Sequence, residues 1–322
     1  MSEVDDFHNR LAFEGDPHSL IVQIATQYGF NDVKSSQVVT SGFEDCNFII
    51  EADDKKLFVK CYAKSRTPED IDRSIQVLDA VADSDINHPY LYSTADGLVS
   101  KVGDVRAIMM DCIDGKSFHE LDRSPTEDEA KLVLAEAVKI NELDIDPPFI
   151  YDSMALINIH DMYESVSKYI TEADDNLVRP VLEGFDEIGI DALPKAFVHG
   201  DLISTNVMLD NKGKIWVVDF SVANTYPKVQ ELAVISSSLM HSSNESLKEV
   251  VEKMASFYET CGGSLTAKEK AALFALARAG QAMELLGSYY YTYINTDNIE
   301  EAAHWQEVGR KGLQASEVKN RF

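Results

Sequence analysis

The chain has only four cysteines, Cys46, Cys61, Cys112 and Cys261. None form a CxxC pair, and none stand at metal-ligand spacing from a histidine, so neither a zinc site nor a disulfide framework is encoded. They read as reduced, mostly buried thiols of a reducing cytoplasm. No run of about 18 apolar residues occurs, which excludes a membrane-spanning helix. The opening stretch, MSEVDDFHNR, is acidic and lacks the apolar core of a signal peptide. Basic residues are scarce: 29 Lys and Arg stand against 55 Asp and Glu, a formal charge of -26. Such a surface repels nucleic acid and anionic lipid, so neither is an expected partner. There is no internal repeat and no low-complexity linker. There is also no GxGxxG and no GxxxxGK[ST], so any phosphate binding must use another loop.

What is present suffices for a large core, since 45% of 322 residues are hydrophobic. Residues 17–29, PHSLIVQIATQYG, predict a helix stopped by Gly29. The runs VKSSQVV, CNFIIEA and KLFVKCY predict strands, with Asp53 and Asp54 turning the last pair. TPEDIDRSIQVLDAVADS predicts an amphipathic helix capped by Thr67, with Pro68 in its first turn. LVSKV and VRAIMMD add two strands around Gly103 and Asp104. From Ser124 on, helical periodicity dominates: TEDEAKLVLAEAVKINELD, IHDMYESVSKYITEADDNLVRPVLEGF, KEVVEKMASFYETC and TAKEKAALFALARAGQAMELLGSYYYTYI. The expected class is therefore α+β, with a β-rich front, residues 1–110, and a mostly helical back, residues 111–322.

One stretch interrupts those helices, AFVHGDLISTNVMLDNKGKIWVVDFSVAN, from Ala196 to Asn224. Read as a hairpin of two apolar runs, AFVH and IWVVDF, it brings Asp201, Asn206 and Asp219 to one mouth. Phosphoryl transfer needs those groups: a carboxylate to take the proton of an attacking hydroxyl, and oxygen ligands to hold Mg²⁺ against nucleotide phosphates. Asp201 suits the first task; Asn206 and Asp219 suit the second; His199 is expected to brace the loop. Each residue alone reads equally well as turn chemistry. The set at this spacing points to a catalytic loop.

HGDLISTN followed by VVDF resembles the catalytic motif of the aminoglycoside phosphotransferase and choline kinase family, whose pattern is His-Gly-Asp, four residues, Asn, then an apolar strand ending in Asp. The match falls on His199, Gly200, Asp201, Asn206 and Asp219. The resemblance implies a two-lobed, protein-kinase-like fold and an ATP- and Mg²⁺-dependent kinase of a small-molecule hydroxyl. It makes Asp201 the catalytic base and Asn206 and Asp219 the metal ligands.

A kinase of this kind needs a lysine on its phosphates, and Lys60 lies within an apolar strand where its charge must find a partner. The partner is expected from the following helix, Asp70 first and Asp72 second, where the family normally has Glu. The nucleotide loop is TSGFEDCNF, with Gly42 for close backbone approach and Asn47 to order the turn. GFEDCNF resembles the Gly-x-Glu-Asn-x-Asn-Tyr turn of the type II homoserine kinases, with Asp45 where the pattern has Asn. The hinge facing adenine is expected at Met110-Asp111-Cys112, with Gly115 turning into the helical lobe. Acceptor groups are sought among Asp161, Glu164, Glu231, Glu284 and the tyrosines between Tyr289 and Tyr293; in this family an Asp before Leu-Ala, here Glu231, more often supports the loop. Homoserine is the first acceptor the resemblance suggests. Choline, ethanolamine or an aminoglycoside, or a kinase-like protein that binds without turnover, are the alternatives.

Overall fold

The structure, a computed structural model, describes residues 7–8, 10–39, 45–240, 245–295 and 299–318. Gly42 of the expected nucleotide loop lies outside them. The chain divides into two compact units, Met1–Asp114 and Gly115–Phe322.

The first unit is built on a five-stranded antiparallel sheet of order β1-β2-β3-β5-β4. Its strands are β1 (Val33–Val39), β2 (Cys46–Ala52), β3 (Lys55–Cys61), β4 (Ser100–Val102) and β5 (Val105–Asp111). Helix α1 (Pro17–Gln27) precedes the sheet and α2 (Pro68–Ala82) interrupts it after β3. Asp53 and Asp54 both take positive φ, 46° and 62°, which closes the β2–β3 hairpin in the sense that matches strand twist. Alternation along the strands sorts the side chains. Phe48 and Ile50 of β2, Leu57 and Val59 of β3 and Met109 of β5 form a core with Leu20, Ile21 and Ile24 of α1. Burying each such aliphatic side chain contributes about 1.5–3 kcal/mol. Ile108 and Met110, from the opposite face of β5, pack with Ile71 and Leu78 of α2. Cys46 and Cys61 stand opposite each other across β2 and β3, both buried, while Cys112 and Cys261 are partly buried, and none of the four is in a disulfide.

The second unit opens with β6 (Gly115–Ser117), which pairs with β8 (Val207–Asp210); β8 pairs in turn with β9 (Ile215–Val217). A Cβ on Gly115 would lie 2.5 Å from the Leu209 carbonyl oxygen. Glycine is needed there for strand approach rather than for the turn the sequence suggested. The Ala196–Asn224 stretch also differs from its sequence reading. Its two outer runs do not pair with each other: β7 (Lys195–Val198) pairs with β10 (Asn224–Pro227), beyond Asp219. The hairpin is β8–β9, turned by Asn211-Lys212-Gly213. Two short ladders thus clamp the loop, one on each side.

The helices of this unit are α3 (Glu127–Glu142), α4 (Ile159–Val166), α5 (Glu172–Asp186), α6 (Val229–Val234), α7 (Leu247–Thr260), α8 (Ala267–Tyr293) and α9 (Ile299–Val318). The periodic stretch from Ile159 to Phe185 is two helices, because Thr171 turns extended and accepts from the Asp174 N–H as a new N-cap. Among the described residues, no helix is long and apolar enough to cross a membrane.

Candidate active site

The loop after β7 places the three expected residues through backbone geometry. Gly200 has φ +80°, in the region that favours glycine, and lets the chain reverse directly before Asp201. The Asp201 carbonyl then accepts from the Ile203 N–H at 2.9 Å. The Asn206 Nδ2 donates to Asp201 Oδ2 at 2.7 Å and to the Asp201 carbonyl at 3.0 Å. The Val218 N–H donates to the Asn206 carbonyl at 3.0 Å, which ties the strand before Asp219 to the same loop. Asp219 sits at φ 64°. That left-handed backbone is rare for a residue with a Cβ and turns the exposed carboxylate out of the strand direction.

Electrostatics links these groups. Burial, then the charges of Asp152 and Asp219, push the Asp201 carboxyl up to about 7. The bond from Asn206 pulls the other way. Asp152 is a residue sequence reasoning missed. It lies in the loop before α4, where its carboxylate accepts from the Met154 N–H at 2.8 Å. No periodicity or motif marks it, and only folding brings it near Asp201. Three carboxylates therefore bear on one point. The surplus negative charge there favours a cation.

His199 braces the loop, as its position suggested. It is fully buried. Its Nδ1 accepts from the Asp201 N–H at 3.3 Å, so Nε2 carries the proton and donates to the Val218 carbonyl at 3.1 Å. Its contacts are to backbone on both sides of the loop, which argues for support and against a direct chemical role. Beneath it, Glu231 of α6 is wholly buried and accepts from the His199 N–H at 2.6 Å and the Gly200 N–H at 3.4 Å. Burial pushes Glu231 up to about 7. Glu231 thus braces the loop from beneath. Glu231→Ala leaves both N–H groups buried without an acceptor and is expected to cost about 2–6 kcal/mol, at about 1–3 per orphaned group. A shift in the urea midpoint measures this; a midpoint within error of wild type would show that the loop stands without it.

Among the remaining acceptor candidates, Asp161 accepts from the Tyr151 hydroxyl at 3.5 Å. Glu284 of α8 is pushed up to about 8 by burial, opposed by a bond from Ser238. Tyr289 is core: its hydroxyl donates to Asp174 Oδ2 at 2.7 Å, in a network with Arg310. Tyr293 stacks on Tyr169 with centroids 4.7 Å apart.

In the first unit, Lys60 stands in register with Asn47 of β2 and Ile108 of β5. The Asn47 Oδ1 is buried with no hydrogen-bond partner among the described residues. Lys60 Nζ lies 3.4 Å from Asp45 Oδ2. Asp70, expected as its partner, is instead the third residue of a capping box. Its Oδ2 accepts from the Thr67 N–H and hydroxyl at 3.0 and 2.8 Å, and those bonds hold its pKa down. A short Asp in a first turn satisfies its own helix end before it reaches a neighbouring strand. At the expected hinge, Met110 is buried on β5 opposite Phe58. The N–H groups of Asp111 and Cys112 donate to the Tyr90 and Lys56 carbonyls, at 2.9 and 3.2 Å. Those two donors are committed within the unit.

The sequence profile of the phosphotransferase enzyme family matches residues 35–263. The chain belongs to the phosphotransferase enzyme family. It is thereby a small-molecule kinase. This phosphotransferase is 21% identical over 265 residues to a homoserine kinase from Zymomonas mobilis subsp. mobilis, covering 80% of this chain and 81% of that protein. In fold it is similar to a microcompartment-associated aminopropanol kinase, with a TM-score of 0.70 at 15% identity over 93% of this chain and 96% of the other. It is also similar to a spectinomycin phosphotransferase solved with ADP and spectinomycin, with a TM-score of 0.68 at 12% identity over 96% and 100% of the two chains. At those identities the solved structures speak for the fold, which is protein-kinase-like.

Proposed function

We propose that this phosphotransferase transfers the γ-phosphoryl group of ATP to the hydroxyl of a small amino acid or amino alcohol, with homoserine the first candidate. The observation that carries the reading is the Asp201 carboxylate, held by Asn206 at 2.7 Å and pushed to about 7 beside Asp152 and Asp219. A base with a pKa near the working pH is best matched to taking a hydroxyl proton.

ATP and Mg²⁺ fit the residues present. Lys60 supplies an ammonium that can donate to phosphate oxygens, and Asn47 stands opposite it across β2 and β3. Among the described residues, no three His, Cys, Asp or Glu side chains form a complete metal cage. Asn206 and Asp219 instead supply the one or two oxygens that Mg²⁺ takes from protein when phosphates and water complete its shell. Bound Mg²⁺ supplies positive charge against the phosphates. In this reading Asp201 accepts the acceptor's proton, Asn206 fixes the Asp201 rotamer, Lys60 contacts the phosphates and Asp219 holds the metal. Adenine's amine can donate to a carbonyl of the Met110–Cys112 segment. The N–H for its ring nitrogen must come from elsewhere, since those of Asp111 and Cys112 are committed.

Two features support a cationic acceptor. Asp152 adds a negative charge beside Asp201 that the metal ligands do not need, and the homoserine kinase relative acts, by its name, on an amino acid. The test is a coupled ADP-release assay over homoserine, choline, ethanolamine and aminoglycosides. Homoserine should lead in kcat/KM by about 100-fold or more, the discrimination available to a site that hydrogen-bonds its substrate's polar groups. A larger value for choline or an aminoglycoside would reassign the acceptor. ADP release with none of them would sink the kinase reading in favour of a protein that binds without turnover.

A further inference from the structure

We infer that Glu284 is the residue that anchors the acceptor's ammonium, and that it selects a primary amine over a quaternary one. The inference rests on the cationic acceptor proposed above and deepens it.

From Ala279 to Tyr289 every residue of α8 is buried except Glu284, which is half-buried. A carboxylate is among the side chains least often placed in such a helix. Its partial exposure means that an opening from the surface reaches α8 at this point. The walls of that opening are set by the residues four before and three after, which share its helix face. A Cβ on Gly280 would run into Ser237 Oγ, and one on Gly287 would lie 2.7 Å from Met154 Cε. Glycine at both positions lets those side chains rest on the helix backbone, and Glu284 projects between them. Ser237 and Ser238 belong to a π-turn, Ile235–Leu239, that continues α6. Such wide turns recur at functional sites. The Met154 N–H donates to Asp152 Oδ1 at 2.8 Å, and the Asp152 charge reaches Asp201. The opening therefore adjoins the proposed base through the Asp152–Met154 segment.

Charge and hydrogen bonding name the ligand. An ionised carboxylate offers about four acceptor positions, and the Ser238 hydroxyl fills one. Among the described residues no cation acts on Glu284: burial pushes it up to about 8 against that single bond. The carboxylate is thus walled in without a counter-ion, an arrangement that costs stability. A primary ammonium supplies both the missing charge and several N–H donors. A trimethylammonium supplies charge without donors and is held by aromatic faces instead. Ser237, Ser238 and Met154 present no such face.

The experiment compares homoserine with γ-hydroxybutyrate, the same chain without its amine, and with choline as the quaternary probe. ADP release gives kcat and KM for each, calorimetry gives Mg-ATP affinity, and thermal melting checks every variant. The wild type should prefer homoserine to γ-hydroxybutyrate by about 100-fold or more in kcat/KM. Glu284→Gln, nearly isosteric, should cut that preference about 30-fold by raising the KM for homoserine. Its kcat and its Mg-ATP affinity should stay within about threefold of wild type, because an anchor remote from the reacting atoms binds ground state and transition state alike. Homoserine's lead over choline should shrink by a similar factor. The variant should also melt no lower than the wild type, since it removes a carboxylate kept for function at the expense of stability. An acid that only supports the fold would give the reverse, a lower melting temperature with the preference intact. An unchanged preference overturns the inference. Equal turnover of homoserine and γ-hydroxybutyrate by the wild type overturns it one step earlier, at the cationic acceptor. Should Glu284→Gln not fold, Glu284→Asp decides: it keeps the charge on a shorter arm and should raise the KM for homoserine about tenfold with kcat retained, and an unchanged KM overturns the inference.

Discussion

Asp201→Asn should lower kcat by about 10² to 10⁴-fold, the range for a positioned general base, while Mg-ATP affinity stays within about threefold of wild type. The asymmetry follows from its place in the proposed reaction: Asp201 acts on the acceptor's proton, and Asn206 and Asp219 carry the metal. Asparagine keeps the shape and the bond partner of Asn206 while removing the basic oxygen. The same residue sets the expected pH profile. Its folded pKa is raised to about 7 by burial, Asp152 and Asp219, and only the ionised form accepts a proton. The acceptor's kcat/KM should therefore climb as pH rises through about 7, and Asp201→Asn should abolish that limb. A variant that turns over like wild type, or that keeps the same pH limb, would remove Asp201 from the chemistry.

Asp219→Asn should weaken Mg-ATP binding by about 100-fold, as loss of a ligand to a charge-bearing metal is worth several kcal/mol. Asparagine is the informative replacement, because the residue sits at φ 64° and Asn tolerates left-handed backbone where Ala would add strain of about 1–2 kcal/mol. A loss seen with Asn thus reports the missing charge, not a bent chain. Calorimetry with Mg-ATP, and with ATP in the presence of a chelator, separates the cases. Loss confined to the magnesium titration supports the metal role. Equal loss in both, or none in either, contradicts it.

The two outcomes divide the site in a way sequence and fold together explain. That His199, Asp201, Asn206 and Asp219 share one loop was legible because the loop is local: a few residues between short strands fix the spacing. The strand and helix runs were legible for the same reason, since Phe48, Ile50, Leu57 and Val59 alternate as a half-buried sheet must and Thr67-Pro68 opens a helix. Where the reading failed, two local signals competed. The apolar runs AFVH and IWVVDF look like mutual partners, but Gly213 at φ +81° gives β8 and β9 the tighter turn, so each outer run pairs elsewhere.

The amino-acid sequence alone determined which groups could take a proton, hold a metal or meet a phosphate, because those capacities belong to side chains and their near neighbours. Tertiary structure alone decided which charges face one another. Asp45 lies fifteen residues before Lys60, Asp152 lies forty-nine before Asp201, and Glu231 reaches the His199 N–H from a helix further along the chain. Electrostatic energy depends on distance in space and on burial, and neither is a function of separation along the chain.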